Sequence, residues 1–113
     1  MILVIGGYAA GKREWVSRQL GYPQAQMSDC AEDKVPVFYG LESQAERFLK
    51  DPKPLLQKKV VICCEVGCGV VPLAADERAR RESVGKLCQL LARQADCVVR
   101  VICGVGQPIK GAF

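Results

Sequence analysis

Histidine is absent from the 113-residue sequence. Without an imidazole, this chain can build no His general base, no Ser–His or Cys–His nucleophile pair and no phospho- or nucleotidyl-histidine intermediate. A zinc site also loses its usual ligand pattern, because no Cys-x-x-Cys pair stands in for the missing histidines. Long apolar runs are lacking as well. The start Met1-Ile2-Leu3-Val4-Ile5 is too short for a signal peptide and runs straight into glycines, and no stretch is long enough to span a membrane. There is no block of one charge. The net charge is a mild +4, and the densest basic group, Arg78, Arg80 and Arg81, is surrounded by Asp76, Glu77 and Glu82. That excess points to an anionic ligand; nucleic acid would need a stripe of Lys and Arg. Internal repeats, low-complexity tracts and linkers are also missing, so residues 1–113 read as one domain.

Composition is otherwise that of a chain with a packed core, 50% hydrophobic and 25% charged. A domain of this size buries a smaller share of its surface than a large one, so homo-oligomerisation would help it. Cysteine is abundant, seven in all. An odd number without a secretory signal argues against a disulfide framework and for a reducing cytoplasm. Most of the cysteines read as small core residues. Cys63 and Cys64 lie in an apolar run, Cys88 falls on an apolar helical stripe, and Cys97 and Cys103 flank the last strand. Cys30 and Cys68, in loops, are the candidates for exposed thiols.

Apolar β-branched runs at Ile2–Ile5, Val60–Cys64 and Val98–Cys103 predict strands buried on both faces, as in a parallel sheet. A further strand over Val35–Tyr39 is restricted by Pro36 to a start or an edge. Helices are expected over Lys12–Leu20, stopped by Gly21, over a stretch with Leu41, Ala45, Phe48 and Leu49 on one face, and over Ala74–Ala95, where Val84, Leu87, Cys88 and Leu91 recur at helical spacing. Asp51-Pro52-Lys53-Pro54 ends the second of these. Residues 22–34 read as irregular and 104–113 as a glycine-containing tail. Strands alternating with helices imply βαβ crossovers and a mostly parallel α/β sheet flanked by helices.

The sharpest motif is Gly6-Gly7-Tyr8-Ala9-Ala10-Gly11-Lys12-Arg13. It has the spacing G-x-x-x-x-G-K and sits between the first apolar strand and a helix, where a phosphate-binding P-loop belongs. The glycines let backbone N–H groups close around phosphate oxygens, the start of the helix favours anions, and Lys12 can reach the outer phosphates. A Ser or Thr should follow the lysine to hold Mg²⁺ through its hydroxyl. Arg13 has no lone pair for a metal and brings a positive charge instead. The plainer alternative is a glycine turn that binds nothing.

A second constellation, Glu65-Val66-Gly67-Cys68-Gly69-Val70-Val71-Pro72, follows the strand Val60–Cys64. Ligands of open α/β sheets bind at the carboxyl ends of strands. Glu65 could there hold a metal-bound water, position a nucleophile or bind a hydroxyl. Equally, the glycines could simply turn the chain, with Glu65 in a structural hydrogen bond.

With the doubled-glycine P-loop, this octet, Arg78, Arg81 and Gly85 on the following helix, and Gly104-Val105-Gly106 with Ile109-Lys110 near the end, the sequence resembles the adenosylcobinamide kinase / adenosylcobinamide-phosphate guanylyltransferase family. The resemblance is carried by residues 1–20 and 60–110. It implies a P-loop NTPase-like, RecA-like fold, usually trimeric, with ATP or GTP, Mg²⁺ and a corrinoid alcohol as ligands. It implies two reactions of cobalamin biosynthesis: phosphorylation of adenosylcobinamide, then transfer of GMP through a guanylylated histidine. Carried onto this sequence, Gly6 to Arg13 would hold the nucleotide, Lys12 and Glu65 would serve catalysis, and Glu65, Arg78 and Arg81 would meet the substrate. The sequence departs from the family in five ways. It is shorter, with the loss placed between residues 20 and 60, and it lacks the nucleotidyl-accepting histidine. Arg13 replaces the metal-binding hydroxyl, and Tyr39 stands about where an acidic strand end belongs. Cys88 stands where the family often has Asn. A kinase without its guanylyl half is therefore expected, and a non-catalytic nucleotide- or corrinoid-binding relative is the alternative.

Overall fold

The computed structural model describes residues 1–7, 9–64 and 75–112, the side chains of 75–77 excepted. β1 (Ile2–Gly6) and β4 (Val60–Cys64) are two of the apolar runs read from the sequence. They pair in parallel, Ile2 beside Val60 and Gly6 beside Cys64. β5 (Cys97–Ile102) pairs in parallel with the other edge of β1. The short strands β2 (Met27–Ser28) and β3 (Val37–Phe38) extend the sheet beyond β4. With β6 (Val105–Lys110) on the outer side of β5, the order is β2-β3-β4-β1-β5-β6. β1, followed by the glycine loop, thus lies between β4 and β5. This is the α/β, P-loop NTPase-like arrangement of a mostly parallel sheet flanked by helices.

Both faces of the sheet are covered, which is why its strands read as unbroken apolar runs. Leu3, Phe38, Val61, Cys63 and Val98 pack with Phe48, Leu55, Val84, Leu87 and Leu91 of α2 (Ala45–Lys50), α3 (Lys53–Leu56) and α4 (Ala75–Gln94). Val4, Val37, Val60, Ile62, Val99 and Val101 pack with Trp15 and Val16 on the other face. Trp15 ends α1 (Lys12–Trp15), and Val16 opens the π-helical turn over Val16–Leu20 that continues it. The whole helical stretch stops at Gly21, whose φ of 80° suits glycine at a helix C-terminus.

Three expectations change. Residues 104–113 contain β6 (Val105–Lys110), antiparallel to β5. The two strands are joined by Cys103 and Gly104, whose positive φ values (50° and 76°) are those a two-residue primed hairpin turn requires. Gly106 and Pro108 hid this strand in the sequence, and Pro108 is tolerated because β6 is an edge. Residues 22–34 include a 3₁₀ turn over Gln24–Gln26 and then β2. Asp51 ends α2 as expected, but Pro52 and Pro54 then open α3, since proline is at home in a first helical turn. Pro36 precedes β3, so of its two allowed roles it takes the start of a strand. Lys58, only 9% exposed, fixes the approach to that strand by donating to the carbonyls of Asp33 (2.6 Å) and Val35 (2.9 Å).

Candidate functional site

The carboxyl end of β1 turns into the glycine loop under tight steric limits. A Cβ on Gly6 would lie 2.6 Å from the Val101 carbonyl oxygen and 3.2 Å from the Lys12 stem, so only glycine fits between β5 and that side chain. Ala9 and Gly11 both have positive φ, 58° and 84°. For Ala9 that conformation costs about 1–2 kcal/mol, and such local strain is concentrated at functional sites. The Ala10 N–H donates to the Gly7 carbonyl at 3.2 Å, and Lys12 Nζ donates to the same oxygen at 2.7 Å. The loop is therefore a curled backbone with its lysine folded across it.

Beside this loop is a cleft of about 460 Å³, lined among others by Gly11, Lys12, Arg13, Tyr39, Glu42 and Cys64. That volume lies within the roughly 300–1,000 Å³ of small-molecule sites. It opens at the carboxyl ends of β3 and β4, where ligands of such sheets are expected. The Arg13 guanidinium carbon sits 5.0 Å from the centroid of the Tyr39 ring, a cation–π distance. Thus two of the three residues read from the sequence as departures from the resembled family, at the hydroxyl position and near the acidic strand end, lean on each other beside the cleft.

Glu42 is a site residue that sequence reasoning missed. Gly40, with φ of 81°, reverses the chain after β3, and a 3₁₀ turn over Leu41–Ser43 follows. Glu42 Oε1 there accepts the backbone N–H of Cys64, at the end of β4. A lone acid in a short turn carries no periodic signal, and its partner lies 22 residues away. Glu42 also lines a neighbouring cleft of about 470 Å³ with Arg47 and Arg80. Arg78, exposed, and Arg81, half-buried, are on α4; among the described residues neither lines the loop cleft, and Arg80 is the arginine of that group placed beside Glu42. Tyr8, Glu65 and the rest of the 65–72 octet, including Cys68, lie outside the described residues.

A triphosphate fits the loop by shape and charge: a curled backbone, a lysine and a cleft at the strand ends. Mg²⁺ does not fit at the position after the lysine, where the guanidinium of Arg13 offers no donor lone pair. Among the described residues no cluster of three or more His, Cys, Asp or Glu suits a metal ion.

A comparison with curated proteins gives no match. Against known families, residues 27–109 match cobinamide kinase / cobinamide phosphate guanyltransferase. Proteins of this family bind nucleoside triphosphate and cobinamide and act as transferases in cobalamin biosynthesis. The matched segment leaves the glycine loop outside it, and the geometry of that loop stands as an independent observation. It runs from β2 through most of β6, well over half of the chain, and the chain belongs to the cobinamide kinase / cobinamide phosphate guanyltransferase family.

Proposed function

We propose that this chain is a single P-loop domain with a cobinamide-kinase-like activity: it would use ATP or GTP to phosphorylate adenosylcobinamide, without the guanylyl-transfer half. The observation that carries this reading is the curled loop with Lys12 folded over it at the mouth of the cleft. Lys12 would leave the Gly7 carbonyl and give its ammonium to the outer phosphates, and the loop N–H groups would take the remaining oxygens. The corrinoid hydroxyl oxygen would bond to the terminal phosphorus as the bond to the bridging oxygen breaks. Its proton would pass to a carboxylate at the strand ends, Glu42 or Glu65. Arg78 and Arg81, near the start of α4, would meet anionic or corrin-side groups of the acceptor. The guanylyl half is assigned as lost because the chain contains no imidazole to carry GMP.

The stacking of Arg13 on Tyr39 favours a second reading, a catalytically inactive nucleotide- or corrinoid-binding relative with a regulatory or assembly role. Calorimetric titration with ATP and GTP, with Mg²⁺ or with EDTA, followed by a phosphorylation assay on adenosylcobinamide, separates the two. Arg13 replaces part of the metal's charge, so nucleotide should bind nearly equally with Mg²⁺ and with EDTA. Arg13→Ser should make binding more dependent on Mg²⁺. Strong Mg²⁺ dependence of the native chain with rapid turnover would show that another residue holds the metal. Binding without turnover would select the inactive relative.

A further inference from the structure

The glycine loop is tied to an element that the nucleotide reading does not use, the β5–β6 hairpin. At the tip of that hairpin the Gly104 N–H donates to the carbonyl of Ala10 at 2.9 Å. A trans peptide points its C=O and N–H in opposite directions, so holding the Ala10 oxygen on the hairpin aims the Gly11 N–H away from it. The contact is close: a Cβ on Gly11 would lie 3.5 Å from Gly104 Cα. Gly104 is itself held from below. Arg18, in the π-helical turn that continues α1, donates from Nη2 to the Gly104 carbonyl at 3.2 Å. Two residues on, Gly106 lies close against the buried indole of Trp15, where an added Cβ would come within 2.3 Å of the ring. Loop, helix and hairpin therefore close a ring of contacts through Ala10, Gly104, Arg18, Gly106 and Trp15.

We propose that the β5–β6 hairpin is a brace that pre-sets the phosphate loop, with Arg18, Gly104 and Gly106 as positioning residues for phosphate binding. The proposal rests on the reading that the loop binds phosphate, and it adds a dependence of that binding on residues outside the loop. A loop whose peptide groups are already oriented loses less freedom when an anion binds, and a flipped Ala10–Gly11 peptide would present an oxygen where an N–H is needed.

The test uses the full chain, with inorganic triphosphate as the probe because it has no base or sugar. Hydrogen exchange at Gly104 and at residues 9–12 is measured without any ligand, and triphosphate affinity is measured by calorimetry. Arg18→Met removes the donor and keeps the stem; Gly106→Ala pushes the hairpin off Trp15 without changing charge. The brace predicts about tenfold faster exchange at Gly104 and the loop in both variants, and about tenfold weaker triphosphate binding, the scale of one net hydrogen bond. Exchange within β4 should stay as in the native chain, and Arg18→Lys should restore part of both effects. If Gly106→Ala does not fold, Arg18→Met decides alone. Weaker binding without faster exchange would mean that Arg18 acts as a charge on the anion, and the brace is then wrong. Faster exchange with unchanged affinity, or unchanged exchange in the variants, also overturns it. If the native chain fails to bind triphosphate, it is the phosphate-binding reading that falls, and the exchange measurement still decides whether the hairpin holds the loop.

Discussion

Lys12 gives its ammonium to the Gly7 carbonyl inside the loop, so any phosphate that binds must replace that bond with a stronger, charge-assisted one. Lys12→Ala should therefore weaken triphosphate binding by about 1–3 kcal/mol, read as a rise in Kd by calorimetry. An unchanged Kd would leave the loop as a turn. The thiols make a different prediction. Cys63 Sγ lies 3.1 Å from Cys88 Sγ, and this neighbour, followed by burial, pushes the Cys63 thiol far above the ordinary value of 9.0. Burial pushes Cys97 up as well. Above that ordinary value the unfolded chain releases these protons and the folded chain keeps them. The folded state then binds more protons, and its stability falls as pH rises, while below the ordinary value the full contribution is present. Urea midpoints should drop between about pH 8 and 10, and Cys97→Ala should reduce the drop. Identical slopes for the variant and the native chain would remove Cys97 from the account. Of the two loop cysteines expected to be exposed, Cys30 is, and Cys68 lies outside the described residues; Cys103, expected at the end of the last strand, is also exposed, at the hairpin tip.

Among the elements, α2 has only six residues and could not persist alone; its stability comes from packing. Phe48 is fully buried and meets Phe38 of β3 edge-to-face, with centroids 5.5 Å apart and planes at 77°. The α2 face that Phe48 belongs to packs against α4 beside Leu87 and Leu91. Phe48→Ala should destabilise the fold by about 3–5 kcal/mol in urea unfolding, because it empties the junction of a strand and two helices. A loss below about 1 kcal/mol would mean that the site collapses around the missing ring. The stripe of Leu41, Ala45, Phe48 and Leu49 was legible in the sequence because helical periodicity is local. Its division into a 3₁₀ turn and α2, and the separate α3 opened by the two prolines beyond it, were not, because where a helix breaks and restarts answers to what lies beneath.

For the molecule as a whole, the absence of histidine is the firmest chemical constraint. Incubation with labelled GTP should give no acid-labile protein–GMP adduct, checked by acid and base treatment of the labelled chain. A covalent adduct would require a lysine or cysteine nucleophile. No helix among the described residues is long and apolar enough to cross a membrane. The sequence by itself determined the glycine loop after an apolar strand, the three long strands, the long helix before the last of them and the family resemblance. All of these rest on runs, periods or motifs of neighbouring residues. Tertiary structure decided what depends on which strands become neighbours. β1 was set between β4 and β5, strands that follow it by more than 50 residues. Glu42 was brought to the end of β4, Arg13 onto Tyr39, and Gly104 onto Ala10. Each of these contacts joins residues far apart in the chain, so only the closing of the sheet, driven by burial on both of its faces, could place them together.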